Sequence, residues 1–137
     1  MQEFERLRMI TQSTRGNLVQ DILGHPELSP SFDELNYMNP SKNRATLREH
    51  IDRLISEEIV QKIVLPESER ARDEPYTFYT LTESGLNLLL EHNLFINDID
   101  EIRAEYEDVE KTEFIKNCEQ AKRPESAKRI ANEIFNL

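Results

Sequence analysis

The chain has 137 residues, with 17 lysines and arginines against 27 aspartates and glutamates, a formal net charge of −10. That length supports one domain plus an extension, with a core that needs no covalent staple. The single cysteine, Cys118, excludes an internal disulfide and a cysteine metal site. No long apolar run and no leader with an apolar centre is present, which predicts a cytoplasmic protein with no membrane contact. The charge is also opposite to the basic footprint usual in nucleic-acid binders. Residues 1–95 hold ten basic and sixteen acidic side chains, and residues 96–137 hold seven and eleven, so neither part is basic.

In chain order, Phe4, Leu7 and Ile10 stand at helical spacing and suggest a first helical turn or a packing arm. Thr11 or Ser13 is placed to cap a second helix, in which Leu18, Val19, Ile22 and Leu23 line one face and which Gly24 and Pro26 end. Ser31, with Glu34 three residues on, is a capping box for a short helix from Phe32 to Met38. That helix buries Phe32 and Leu35, and the residue before Pro40 is pushed out of the α region, which stops it at Asn39.

Ser41 is the expected cap of the third helix, taken as residues 41–58. Leu47, Ile51, Leu54 and Ile55 draw an apolar stripe down one face. Ile59, Val60, Ile63, Val64 and Leu65 then read as a strand that Pro66 stops. Residues 66–75 form a charged loop, and Tyr76 to Leu81 answer with a returning strand. Helix, turn, helix and charged hairpin in this order are the pattern of a helix-turn-helix with a β-wing. Thr82 caps a helix with Leu86, Leu88, Leu89, Leu90 and Leu94 on its apolar surface, running on to Phe95.

The tail reads as one long helix over 98–121, with Ile99, Ile102, Tyr106 and Val109 as a short coiled-coil-like seam. Lys122, Arg123 and Pro124 break it. Ala127, Ile130, Ala131, Ile134 and Phe135 make a last amphipathic helix. The expected organisation is mainly α with a small β-hairpin wing: a winged helix-turn-helix domain over 1–96 and a helical extension over 97–137.

These residues resemble the winged helix-turn-helix transcription regulators of the ArsR/MarR-like sort, in the acidic form of salt-loving archaea. Ala45-Thr46-Leu47-Arg48-Glu49-His50-Ile51 is similar to the pattern that opens the recognition helix in that family. Leu54 and Ile59-Val60 are similar to its close. Tyr79-Thr80-Leu81-Thr82-Glu83-Ser84-Gly85 resembles the motif that ends the wing. The resemblance covers about 17–95. Where Glu58 stands the family usually has glycine, because that position adopts a positive φ. Glu49 and Asp52 depart from it too, placing acids on a face that should approach phosphates.

The resemblance implies binding of double-stranded DNA, with the third helix in the major groove. Lys42, Arg44 and Arg48 are candidates for phosphate or guanine, and Asn43 and Thr46 for a base edge. The bland alternative is that Arg44 and Arg48 pair with Glu49, Asp52 or solvent. Arg70 and Arg72 of the wing are candidates for backbone or minor-groove contact, against a solvated loop tip flanked by Glu67, Glu69, Asp73 and Glu74. The seam residues Ile99, Ile102, Tyr106 and Val109 are expected to form a homodimer interface, against folding back on their own domain.

No catalytic motif appears, so no enzyme, cofactor or metal is expected. His50 reads as a half-buried histidine bonded to a backbone carbonyl. His25 and His92 read as solitary residues at helix ends, and Cys118 has little basic surrounding to activate it. Eleven arginines against six lysines, with excess acid, suit a salt-rich cytoplasm in which repulsion is screened over a short distance. The competing function is a winged-helix module that binds protein through its acidic surface and binds no DNA.

Overall fold

A computed structural model describes residues 2–135, with the side chains of 3–133. Its elements run α1 (Gln2–Thr11), α2 (Ser13–Gly24), α3 (Phe32–Met38), α4 (Arg44–Ser56), β1 (Val60–Val64), β2 (Thr77–Leu81), α5 (Glu83–Glu91), α6 (Ile99–Asp108), α7 (Glu113–Gln120) and α8 (Glu125–Phe135). Short 3₁₀ turns occupy Glu67–Glu69 and Ile96–Asp98. The architecture is mainly helical with one antiparallel hairpin, as the sequence predicts. The expected third helix is the fourth, because α1 is a full helix.

Caps explain most boundaries. α1 runs to Thr11, so Gln12 is the one non-helical residue before α2, and its side chain accepts from the Arg15 N–H. That displaces the caps expected at Thr11 or Ser13. The capping box at α3 forms as predicted, Ser31 accepting from the Glu34 N–H and Glu34 from the Ser31 N–H. α4 is capped by Asn43, whose Oδ1 accepts from the Thr46 N–H at 2.8 Å, not by Ser41. The turn holds Ser41 back from capping: the Asn39 carbonyl still accepts from the Lys42 N–H at 3.1 Å, two residues before the helix starts. Hence α4 is shorter than the expected 41–58.

At the other end of α4 the Ile59 N–H reaches the Leu54 carbonyl and the Glu58 N–H reaches the Ile55 carbonyl. This is a Schellman cap, with Glu58 at φ 58° where glycine is the usual occupant. The sequence expectation of positive φ at Glu58 is met.

β1 and β2 pair from Val60 opposite Leu81 to Val64 opposite Thr77. The Tyr79 N–H donates to the Pro30 carbonyl at 2.9 Å, which ties the hairpin to the chain before α3. Leu18, Ile22, Leu35, Leu47, Ile51, Leu54, Ile59, Leu81 and Leu89 form the centre of the core. α4 therefore presents its apolar stripe inward and its polar face outward, beside the hairpin.

The tail differs most from expectation. The single helix over 98–121 is two helices, because the chain leaves helical geometry at Val109 and Thr112 caps α7 by accepting from the Ile115 N–H. α6 lies along α2. The approach is close enough that a Cβ on Gly24 would sit 2.8 Å from the Tyr106 Cβ. Tyr106 is buried there, Ile99 and Ile102 are half-buried against the main core, and Val109 is exposed. The stripe expected at a dimer interface is thus largely covered by its own chain, since splitting the helix lets α6 fold back. α7 packs on α3 and α8 on β2. Ile130 joins the main core, and Ala127 joins Ile63 and Phe78. The side chains of Ile134 and Phe135 lie outside the described residues. No helix among the described residues is long and apolar enough to cross a membrane.

Candidate nucleic-acid interface

The polar face of α4 and the start of β2 meet at Phe32. The Arg48 guanidinium lies 4.1 Å from the centre of the Phe32 ring and that of Arg44 4.6 Å. One ring therefore holds two cations that leave α4 one turn apart, an arrangement cation–π attraction favours. The Tyr79 hydroxyl, on β2, lies 3.5 Å from Arg48 Nη1. A groove of about 190 Å³ runs between the arginines and Tyr76 and Thr77 of the hairpin. Tyr76 is exposed and carries Arg70 stacked at 4.0 Å. Two arginine–aromatic stacks thus face the same side of the molecule, from α4 and from the wing.

The charges around them are mixed. Arg44 Nη1 donates to Asp33 Oδ1 at 3.0 Å, with both side chains well exposed. Asp33, not Glu49 or Asp52, is the acid that engages an α4 arginine. Glu69 in the wing loop is paired with Lys122 of the tail, which draws one of the flanking acids away from Arg70. Arg70 Nε donates to the Leu65 carbonyl at 3.0 Å, so this arginine is fixed at the base of the loop instead of lying free at its tip. Lys42 and Arg72 are exposed, and Thr46 is half-buried. Asn43 Oδ1 is committed to the cap and is not free to accept from a base.

His50 is half-buried as expected, but its partner is different. Its Nδ1 accepts from Arg15 Nη1 at 3.1 Å, while Arg15 Nε donates to the Met9 carbonyl. Burial, followed by the charge of Arg15, lowers its pKa. His92 is not solitary either: its Nε2 lies 3.2 Å from Glu3 Oε1, and Glu91 joins them in an exposed trio. Cys118 is buried, and burial pushes its thiol up to about 11, which keeps it protonated and unreactive at neutral pH.

His25 is not the solitary residue expected from the sequence: it joins Glu34 and Arg123 in a cluster that the sequence does not reveal. All three are buried. The Glu27 N–H donates to His25 Nδ1, and His25 Nε2 lies 2.9 Å from Glu34 Oε1 and 3.2 Å from Arg123 Nη2. Arg123 Nη2 donates to Glu34 Oε2 at 2.8 Å. Its other N–H groups reach the carbonyls of Ser29, Cys118, Glu119 and Ala121. Its guanidinium also stacks on Phe78 at 4.3 Å. Burial works to raise the Glu34 carboxyl, but His25, Arg123 and the Ser31 N–H outweigh it and hold it below the usual carboxylate range. Arg123 thereby joins the tail to α3 and the hairpin, the two parts that flank the α4 face.

A solved structure of a protein with a GntR-superfamily winged-helix-turn-helix domain, from Halomicrobium mukohataei, is 36% identical to this chain. The match covers 89% of this chain and 85% of that one, with a TM-score of 0.81. The chain belongs to the GntR-superfamily winged-helix-turn-helix proteins. No family model matches it, and the curated proteins hold no match. In this winged-helix protein α3 and α4 are the helix-turn-helix pair and β1–β2 the wing. The resemblance to winged-helix regulators is met at that level, while the match does not carry the ArsR/MarR-like subtype.

Proposed function

We propose that this winged-helix protein is a transcription regulator that binds duplex DNA, with α4 in the major groove and the wing on the adjoining backbone. The observation that carries the reading is the shared Phe32 shelf. Phe32 preorganises Arg44 and Arg48, which lowers the entropy lost when a long side chain grips phosphate or guanine. The start of α4 adds free backbone amides that suit a phosphate. Lys42, Thr46, Arg70 and Arg72 extend the same face, and Asn43 contributes through the helix start that it caps. Pairing of two copies on a two-fold site would use a face other than the Ile99, Ile102 and Tyr106 stripe, which packs inward. The acidic remainder suits a salt-rich cytoplasm, where DNA contacts depend on close fit more than on long-range attraction.

The second reading, a protein-binding module, is favoured by one observation: Asp33 already occupies Arg44. A retention experiment separates them. The full chain and the Arg44→Ala, Arg48→Ala double variant are titrated into labelled random duplex at matched salt. DNA binding predicts retention by the parent and a loss of about tenfold or more in the variant. Equal retention of both would overturn the assignment of α4, and no retention by either would turn the case to the protein-binding reading.

A further inference from the structure

Between α2, α6 and the turn that leads into α4 lies a cavity of about 260 Å³, apart from the α4 face. Its polar wall holds two acidic side chains among neutral ones. Asp21 of α2 and Glu105 of α6 contribute carboxyl groups, Asn17 and Tyr106 also line the space, and the Gln20 amide N–H donates to the Gly16 carbonyl. Asn39 spends both amide hydrogens elsewhere, on Asp21 Oδ2 and on the Leu35 carbonyl, each at 2.8 Å. No lysine, arginine or histidine lines the space. Met38, Ile102 and Val109 supply an apolar side.

We infer that this cavity is a binding site for a small organic cation, a primary amine with a short apolar body. Glu105, and Asp21 once it releases its proton, have no cation beside them among the described lining residues, so they favour a donor-rich positive group, and the apolar side takes its carbon chain. The size lies near the lower end of small-ligand pockets. Asp21 supports this from its environment: burial pushes its carboxyl up to about 7, against the Asn39 hydrogen bond that lowers it. A bound ammonium relieves that strain by supplying the missing positive charge.

Occupancy has a route to α4. Asn39 is the C-cap of α3 and opens the turn, and its carbonyl accepts from the Lys42 N–H. A ligand that draws on Asp21 competes with the Asn39 amide and so acts on the first residue of the turn. This consequence rests on the reading of α4 as the DNA-contacting helix, but the site itself does not.

The test uses the full chain without DNA. n-Butylammonium chloride is titrated at constant ionic strength, with sodium butyrate and sodium chloride as controls, and read by the shift of the Asn39 side-chain amide signals and by the melting temperature. Saturable shifts with butylammonium alone are expected, with a stabilisation that grows with ligand concentration. Asp21→Asn, which keeps an acceptor for Asn39, is expected to weaken binding by about tenfold or more, as loss of a charge-assisted hydrogen bond does. Glu105→Gln, at an exposed position, is expected to weaken it less without disturbing the fold. Equal response to sodium chloride or butyrate, or unchanged binding in both variants, would overturn the site. Failure here leaves the α4 reading standing, and failure of DNA binding leaves this site standing.

Discussion

Arg123 donates to Glu34 across 89 residues of sequence, at 2.8 Å and with both side chains buried. The pair fastens the segment between α7 and α8 to the capping box of α3. A buried pair contributes little net stability against an apolar replacement, but removing one member strands the other. Arg123→Met or Glu34→Gln alone is expected to destabilise by about 3–5 kcal/mol. The double variant is expected to lose clearly less than the sum of the two, because neither charge is then stranded. Urea denaturation of the three variants checks both statements.

Glu58 sits at φ 58° at the end of α4. The left-handed conformation costs a non-glycine residue about 1–2 kcal/mol, and glycine returns part of that gain as unfolded-state entropy. Glu58→Gly is therefore expected to stabilise by about 0.5–1 kcal/mol, since the Thr82 and Arg6 contacts here use the Glu58 carbonyl and not its side chain. The midpoint of urea denaturation measures it.

Asp21 gives stability a pH dependence of definite sign. Its carboxyl is raised from 3.8 to about 7 by burial. Between those values the folded chain keeps a proton that the unfolded chain has released, so stability falls as pH rises through this window, by at most about 1.4 kcal/mol per pH unit. Glu34 acts the other way: its pKa is lowered, so its contribution is present above the unfolded value and is lost on acidification. Asp21→Asn is expected to flatten the fall between pH 5 and 7 and to leave the acid side unchanged. Melting curves across that range test this.

The features legible in the sequence are the ones set by short-range rules. The Ser31–Glu34 box, the stop at Asn39-Pro40, the Thr82 cap and the positive φ at Glu58 each depend on residues a few positions apart. The break in the tail was harder to read, because Val109 to Thr112 holds neither glycine nor proline and the apolar spacing runs on. The one local signal was Thr112 with a free amide three residues ahead. Arg123 could not be read as a core residue at all. Its partners His25, Ser29 and Glu34 are far off in sequence, and in isolation Lys122-Arg123-Pro124 looks like a solvated break. At the α4 face the arginines were legible, but their support was not. Phe32 reads correctly as a core residue, but that its ring also carries both arginines, and that Asp33 pairs with Arg44, depends on the packing of α3 against α4, which no local spacing encodes.

Asp33 supplies a further expectation. It holds Arg44 in an exposed ion pair, a class worth about 0.2–1 kcal/mol. A phosphate must displace it. Asp33→Asn is expected to tighten duplex binding by about two- to fivefold, whereas neutralising Glu83, on α5, is expected to change it less. Fluorescence anisotropy at fixed salt compares the two.

The central claim is that Arg44 and Arg48, held on Phe32, contact DNA phosphates or base edges. The salt dependence of duplex binding tests it most directly, comparing the parent with Arg48→Ala by anisotropy over a range of potassium chloride concentrations. If Arg48 neutralises a phosphate, the slope of log affinity against log salt becomes shallower by about 1 in the variant. If it reads a base, affinity for a selected site falls by about tenfold or more while binding to random duplex holds. Identical slopes and affinities on both duplexes would contradict the account.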